Sequence, residues 1–327
     1  MSRHGITTNV VVTGAGGAAG VAVVRALRST AGVRVLAADS DPHAPGVELA
    51  HHGFVLPRAD SAKFIPMLLQ ACRHFAVDAI VCTVAEEMLA IESAQSDIHA
   101  TGTKVWLPPA STVALCNDKS RFATVLRQHG IATPATSTTL RDLVAGPWIV
   151  KPRQARGSRN VIAADSIDDV AYALRRVDDP IIQTRVQGRE FTVDVLVERD
   201  GTVVGLSPRW RLATKGGIST SGVTFQHPAV THLVERTMKA LQYRGVACLQ
   251  GFLSDEGEAT CIEVNPRFGG GVSLSIAAGA DFTGEFVRAT LGGRARNERL
   301  RADVGVRMTR FFNEIISYNE ATADKCA

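Results

Sequence analysis

In "CIEVNPRF", residues 261–268, a carboxylate, an amide and a guanidinium recur at every second position as Glu263, Asn265 and Arg267. An extended chain alternates its side chains, so these three share one face while Ile262 and Val264 turn into the core. Such a row is costly to shield from water unless it holds a ligand. Carboxylate and amide oxygens suit Mg2+, and an adjacent guanidinium suits a phosphoryl group. The alternative is that Glu263 and Arg267 pair with each other on an exposed sheet face. Hairpin register separates the two readings, because "ACLQGFLSDEGEATCIEVNPRF" reads as two strands turning near Glu256-Gly257. A two-residue turn there sets Gln250 directly across from Glu263, and three oxygen ligands converge. A three-residue turn would set Leu249 there instead.

A second chemistry is written in "VVVTGAGGAAG", residues 10–20, where Gly14, Gly16, Gly17 and Gly20 separate an apolar run from a helical pattern over 21–27. Dinucleotide-binding units begin this way, and Asp39, at the end of the next apolar run, stands where such an enzyme holds a ribose hydroxyl. A nicotinamide-dependent oxidoreductase is the function this loop alone suggests.

The elements that must carry these residues divide the chain. Up to residue 110, short apolar runs at 10–13, 33–38 and 78–83 alternate with segments of helical spacing, which predicts a parallel sheet with helices on its faces. Asn117 or Asp118 can cap a helix carrying Phe122, Val125 and Leu126, with Gly130 closing it. "PWIVKP" is a short strand ending in Lys151, "RQARGSRN" a basic loop, and Ser166 with Asp169 a cap for the next helix. From residue 181 hairpins follow, the first turning at Asp200-Gly201. "SPRWRLATKGG" places Arg209, Arg211 and Lys215 in a loop after it, where one of the two arginines can clamp a substrate carboxylate or lie in solvent.

At Gln250, Glu263, Asn265, Pro266 and Arg267 the chain resembles the ATP-grasp superfamily, and in particular one ATP-binding half of the carbamoyl phosphate synthase large subunit. The resemblance covers nearly the whole chain. It implies an α/β and α+β architecture: an ATP-grasp fold behind a Rossmann-like parallel-sheet domain at 1–112. A small lid subdomain and linker at 113–182, an antiparallel subdomain at 183–315 and a tail at 316–327 complete the expected division. It also implies roles. Gln250, Glu263 and Asn265 hold metal, Gln250 also facing the nucleotide; Lys119 and Lys151 reach the phosphates; and the loop with Ser158 folds over them. Glu190 holds the ribose, Thr184 and Val186 line the adenine slot, and Arg267 acts with Lys151 in catalysis. Gly16 and Gly17 face the substrate cleft, beside Arg209 and Arg211. Two departures stand out. Thr184 occupies a position often acidic in the family, and "GGISTSG" has Ser219 where carbamoyl phosphate synthase has His.

The implied reaction is ATP-dependent activation of a small carboxylic or amino acid as an acyl phosphate, then amide or peptide formation with release of ADP and phosphate. ATP and two Mg2+ ions are the implied cofactors, Mn2+ being able to substitute. Carbamoyl phosphate synthesis itself is not expected, since the chain is far shorter than that enzyme. The rivals are a non-catalytic nucleotide-binding module and the nicotinamide enzyme.

Composition narrows the classes. With 327 residues, 45% of them hydrophobic, and a net charge of +4, the chain is long enough for two or three cores. No run of Lys or Arg interleaves with aromatics, which argues against nucleic acid, and no stretch has the length of a membrane span. Six scattered cysteines without metal-ligand spacing suit free thiols in the cytoplasm. Small-molecule carboxylate and amine substrates are the expected partners, with a monomer and a homodimer both open.

Overall fold

The computed structural model describes residues 7–154 and 160–316, which build three sheets. The first is parallel, ordered His52–Val55, Val33–Asp39, Thr8–Thr13, Ala79–Cys82 and Lys104–Val105. Its three central strands are those the apolar runs predict; the two edge strands are shorter and more polar and escaped that reading. Val10 and Val12 join one apolar cluster and Val11 another, as expected of a strand covered on both faces. The glycine turn lets the helix Ala18–Arg28 start close to it. A Cβ at Gly20 would lie 2.3 Å from the Gly14 carbonyl oxygen, and Gly14 itself has φ +62°.

The second sheet is antiparallel, ordered Ala259–Asn265, Gly245–Leu253, Arg189–Val197, Val203–Lys215, Ile218–Thr224 and Arg307–Thr309. Leu196, Val246, Phe268 and Phe286 of this region share one core cluster with Val10 and Val23, so the parallel unit is packed firmly against it. The third sheet, ordered Thr136–Ser137, Pro180–Thr184, Trp148–Pro152 and Ile162–Ala164, carries the helix Ile167–Leu174 and keeps a small core of its own. Ser166 and Asp169 cap that helix reciprocally, as their spacing predicts. Phe122 and Leu126, on the helix Lys119–Gln128, pack with Phe191 and Leu249, so this helix belongs to the core of the large sheet.

Two local readings are corrected. Arg209 and Arg211 lie within the thirteen-residue strand Val203–Lys215, not in a loop. Pro208 disguised the strand, yet its carbonyl accepts from Phe225 N–H at 3.0 Å just beyond the neighbouring strand's end, where the ladder asks no donor of it. In the second hairpin the turn has three residues, 255–257: Ser254 N–H donates to Glu258 O at 2.9 Å, and Gly257 has φ +83°. Gln250 nevertheless pairs with Glu263, because Gly251 pairs with Cys261 and one extra residue bulges between. The bulge restores the register that the longer turn had shifted. It also leaves Cys261 in the core and turns Ile262 to the cleft, against the strict alternation expected.

Candidate active site

A cleft of about 1350 Å³ is lined by all three sheets, from Gly14 and Gly17 to Lys151 and on to Gln250, Glu263, Asn265 and Arg267. It exceeds an ordinary small-ligand pocket and has room for a nucleotide beside a second molecule. Asn265 Nδ2 donates to Glu263 Oε1 at 3.1 Å, which leaves the Asn265 carbonyl oxygen as an acceptor. Arg267 donates to the Phe268 carbonyl at 2.9 Å and also lines the cleft. Among the described residues no three His, Cys, Asp or Glu side chains cluster as metal ligands. The set Gln250, Glu263 and Asn265 has one carboxylate and two amides, so it fits a hard cation such as Mg2+ when phosphate oxygens complete the shell.

Two lysines face this set. Lys151 is only 9% exposed, and burial pushes its ammonium down to about 8, Lys119 adding to the fall and Glu263 opposing it. Burial lowers Lys119 too, against the pull of Glu263 and Asp118. Both cations therefore feel the same carboxylate. Their backbones are tied together: Asp118 caps the helix of Lys119 through Ser120 N–H and Arg121 N–H at 3.1 and 3.0 Å. The same carboxylate takes both forks of Arg153 at 2.9 and 2.6 Å, and Lys119 N–H reaches the Arg153 carbonyl at 3.2 Å. Burial raises the Asp118 carboxyl, but Arg153 together with the Arg121 and Ser120 N–H donors outweighs it and the net shift is downward.

The remaining residues singled out in the sequence gather around the same cleft, except Gly16, which does not line it as expected, and Ser158, which lies outside the described residues. Thr184 and Val186 line it, the Thr184 hydroxyl turned back to the Ala145 carbonyl at 2.7 Å. Glu190, about a third exposed, meets Arg211 Nε at 2.9 Å in an ion pair whose angle falls short of a hydrogen bond. Arg211 also donates to the Gly217 carbonyl at 3.1 Å. Arg209 is 2% exposed at the cleft floor, paired with Asp194, which Ser275 also contacts at 2.7 Å. It lies directly under a glycine run, since a Cβ at Gly271 would stand 2.7 Å from Arg209 Nε. Ser219 lines the cleft with its hydroxyl directed to the Ser221 carbonyl at 3.3 Å.

At the glycine-loop end Gly17 lines the cleft, while Gly16 N–H donates to Asp39 Oδ2 at 2.7 Å. Asp41 N–H takes the other Asp39 oxygen at 3.1 Å. The carboxylate that a dinucleotide enzyme would use for ribose is thus engaged by backbone at both oxygens. Residue-level reading missed Asp194, Arg153 and Glu87. Glu87 sits in the first turn of the helix Ala85–Ser93 and accepts from the Thr13 hydroxyl at 2.5 Å. The signal that could have found it is topological: ligands bind beyond the carboxyl ends of parallel strands, and this helix begins there.

Residues 176–312 match the family described as ATP-grasp in the biosynthetic pathway with Ter operon, and residues 10–106 match the PylC-like N-terminal domain. A carbamoyl-phosphate synthase of Methanobrevibacter smithii is 26% identical over 267 residues, which span 75% of this chain and 71% of that relative. Biotin carboxylase of Campylobacter jejuni superposes with a TM-score of 0.72 at 17% identity, covering 93% of this chain and 75% of its own. L-amino acid ligase of Bacillus licheniformis superposes at 0.69 and 20% identity, over 90% and 78%. At such identities the two structures show a shared fold.

Proposed function

We propose, from the premise that the chain has the ATP-grasp fold and resembles one ATP-binding half of the carbamoyl phosphate synthase large subunit, that it is an ATP-dependent carboxylate–amine ligase. A small carboxylic or amino acid is activated as an acyl phosphate and joined to an amine, releasing ADP and phosphate. The observation that carries this reading is the convergence of Gln250, Glu263 and Asn265 in one cleft with Lys119 and Lys151, both coupled to Glu263.

Gln250, Glu263 and Asn265 would hold Mg2+, which would supply neutralising charge to the nucleotide phosphates. Lys119 and Lys151 neutralise the phosphates from the helix and the lid strand. Glu190 takes the ribose hydroxyls, and the chain at Thr184 and Val186 borders the adenine. Arg267 holds the transferred phosphoryl group, then the oxyanion that forms as the amine attacks. The low lid-side exposure of Lys151 strengthens its field at the phosphates, since buried charges are screened little.

The test is ADP release from Mg-ATP with a panel of carboxylates, amino acids and bicarbonate, hydroxylamine serving as a universal nucleophile. Hydroxamate formed with one acid is the expected result. No ADP above background across the panel, with Mg-ADP still raising the melting temperature, would favour a nucleotide-binding module. Stabilisation by NADPH and not by Mg-ADP would return the glycine loop to a nicotinamide role.

A further inference from the structure

The glycine-loop end of the cleft holds a side chain that the reading above does not use. Glu87 lines the cleft, and one of its oxygens, Oε2, accepts from the Thr13 hydroxyl and from the Cys82 thiol at 3.5 Å. Oε1 has no hydrogen-bond partner among the described residues. Two acidic groups raise its carboxyl, Asp39 from the strand beside the glycine loop and Glu86 on its own helix. The Cys82 thiol is itself held protonated by burial and by Glu87. This end is also close to the transfer machinery: a Cβ at Gly270 would stand 3.3 Å from the Cβ of Ala18, so the start of the glycine-loop helix abuts the glycine run that follows Arg267.

We propose that Glu87 receives the amine substrate, its free oxygen docking the ammonium group and taking a proton from it. This rests on the ligase reading and assigns the second substrate as a cationic primary amine, the amino group of an amino acid included. One ammonium proton passes to Glu87, and the freed nitrogen lone pair forms the bond to the acyl carbon. The bond from that carbon to the phosphate oxygen breaks, its electron pair leaving on phosphate, which takes the second proton as hydrogen phosphate. Burial lifts the Glu87 carboxyl to about 7 against the Thr13 and Cys82 hydrogen bonds, with Asp39 and Glu86 adding to the rise, which suits a group that takes and returns a proton near neutrality.

Glu87→Gln separates this from the ligase reading when two nucleophiles are compared, hydroxylamine and an equimolar mixture of the proteinogenic amino acids. Hydroxylamine is mostly unprotonated at neutral pH and needs no base. In the variant, amide formation near neutral pH should fall about 100-fold and hydroxamate formation by far less. Raising the pH, which deprotonates the amine in solution, should restore most of the amide. Thr13→Val keeps the carboxylate but removes its hydrogen-bond donor, and should move the rising limb of the amide pH profile to higher pH. Equal losses with both nucleophiles, or unchanged amide formation in Glu87→Gln, would overturn the assignment. So would wild-type protein that makes hydroxamate and couples no amine. Failure of the ligase reading looks different: the wild type then makes no hydroxamate at all.

Discussion

Glu263 and Glu87 line one cleft from opposite sides, the first on the antiparallel sheet and the second beyond the parallel one, and they differ in what faces them. The negative charge of Glu263 works on two buried ammonium groups, Lys119 and Lys151. Glu87 has a hydroxyl donor on one oxygen and two acidic neighbours. The same side chain therefore serves two chemistries. Beside two ammonium groups the carboxylate suits the proposed phosphate and metal site; among acids it is a group whose value is lifted to about 7.

The contrast predicts a graded set of effects. Glu263→Gln should lower ADP formation about 1000-fold with the fold intact, as removing a central electrostatic contact to the transferred group does. Steady-state kinetics with a thermal melt checks this, and near-normal turnover would end the metal assignment. Lys151→Met should cost about 100-fold in kcat/KM for ATP, since the charge is expressed at the phosphates and little elsewhere. A loss confined to KM for the acid would move Lys151 out of the nucleotide site.

Stability should respond to Glu87 in the opposite sense to an ordinary paired carboxylate. Its folded-state value, about 7, lies above the ordinary 4.5, so the folded chain binds the extra proton between those values. This contribution is full below about 4.5 and is lost as pH rises through 7, roughly 2 kcal/mol after allowance for its remaining contact with solvent. Denaturant melts across that window should show the slope, and Glu87→Gln should flatten it; an unchanged slope would mean the carboxyl is not buried as described. The smallest effect is expected from Asp118→Ala, which removes a helix cap worth about 1 kcal/mol. Because Asp118 also ties Lys119 to the lid strand through Arg153, KM for ATP should rise as well. A fall in melting temperature without that rise would leave the link purely structural.

Much of the fold was legible because its signals are local. Glycines at a strand-to-helix turn, a Ser-x-x-Asp cap and apolar runs of strand length each act within a few residues. The two-residue spacing of Glu263, Asn265 and Arg267 likewise anticipated that all three line one cleft. Pro208 misled because a proline's cost depends on whether the neighbouring strand still needs its N–H, and that neighbour, Ile218–Thr224, ends beside it.

The hairpin of Gln250 and Glu263 shows the limit from the other side. Its three-residue turn and its bulge each move the register by one, and their cancellation follows from how the strand packs: Cys261 and Val264 are both drawn into the core of the large sheet. By itself the sequence determined which chemical groups are present, their spacing along the chain and the order of the elements, since covalent geometry settles these. Only the tertiary structure decided that Arg209 would be spent on Asp194, that Asp39 would be taken up by backbone, and that Glu87 would stand among acids in the cleft. Burial and electrostatic partners come from residues distant in the chain, and they set what a side chain can do.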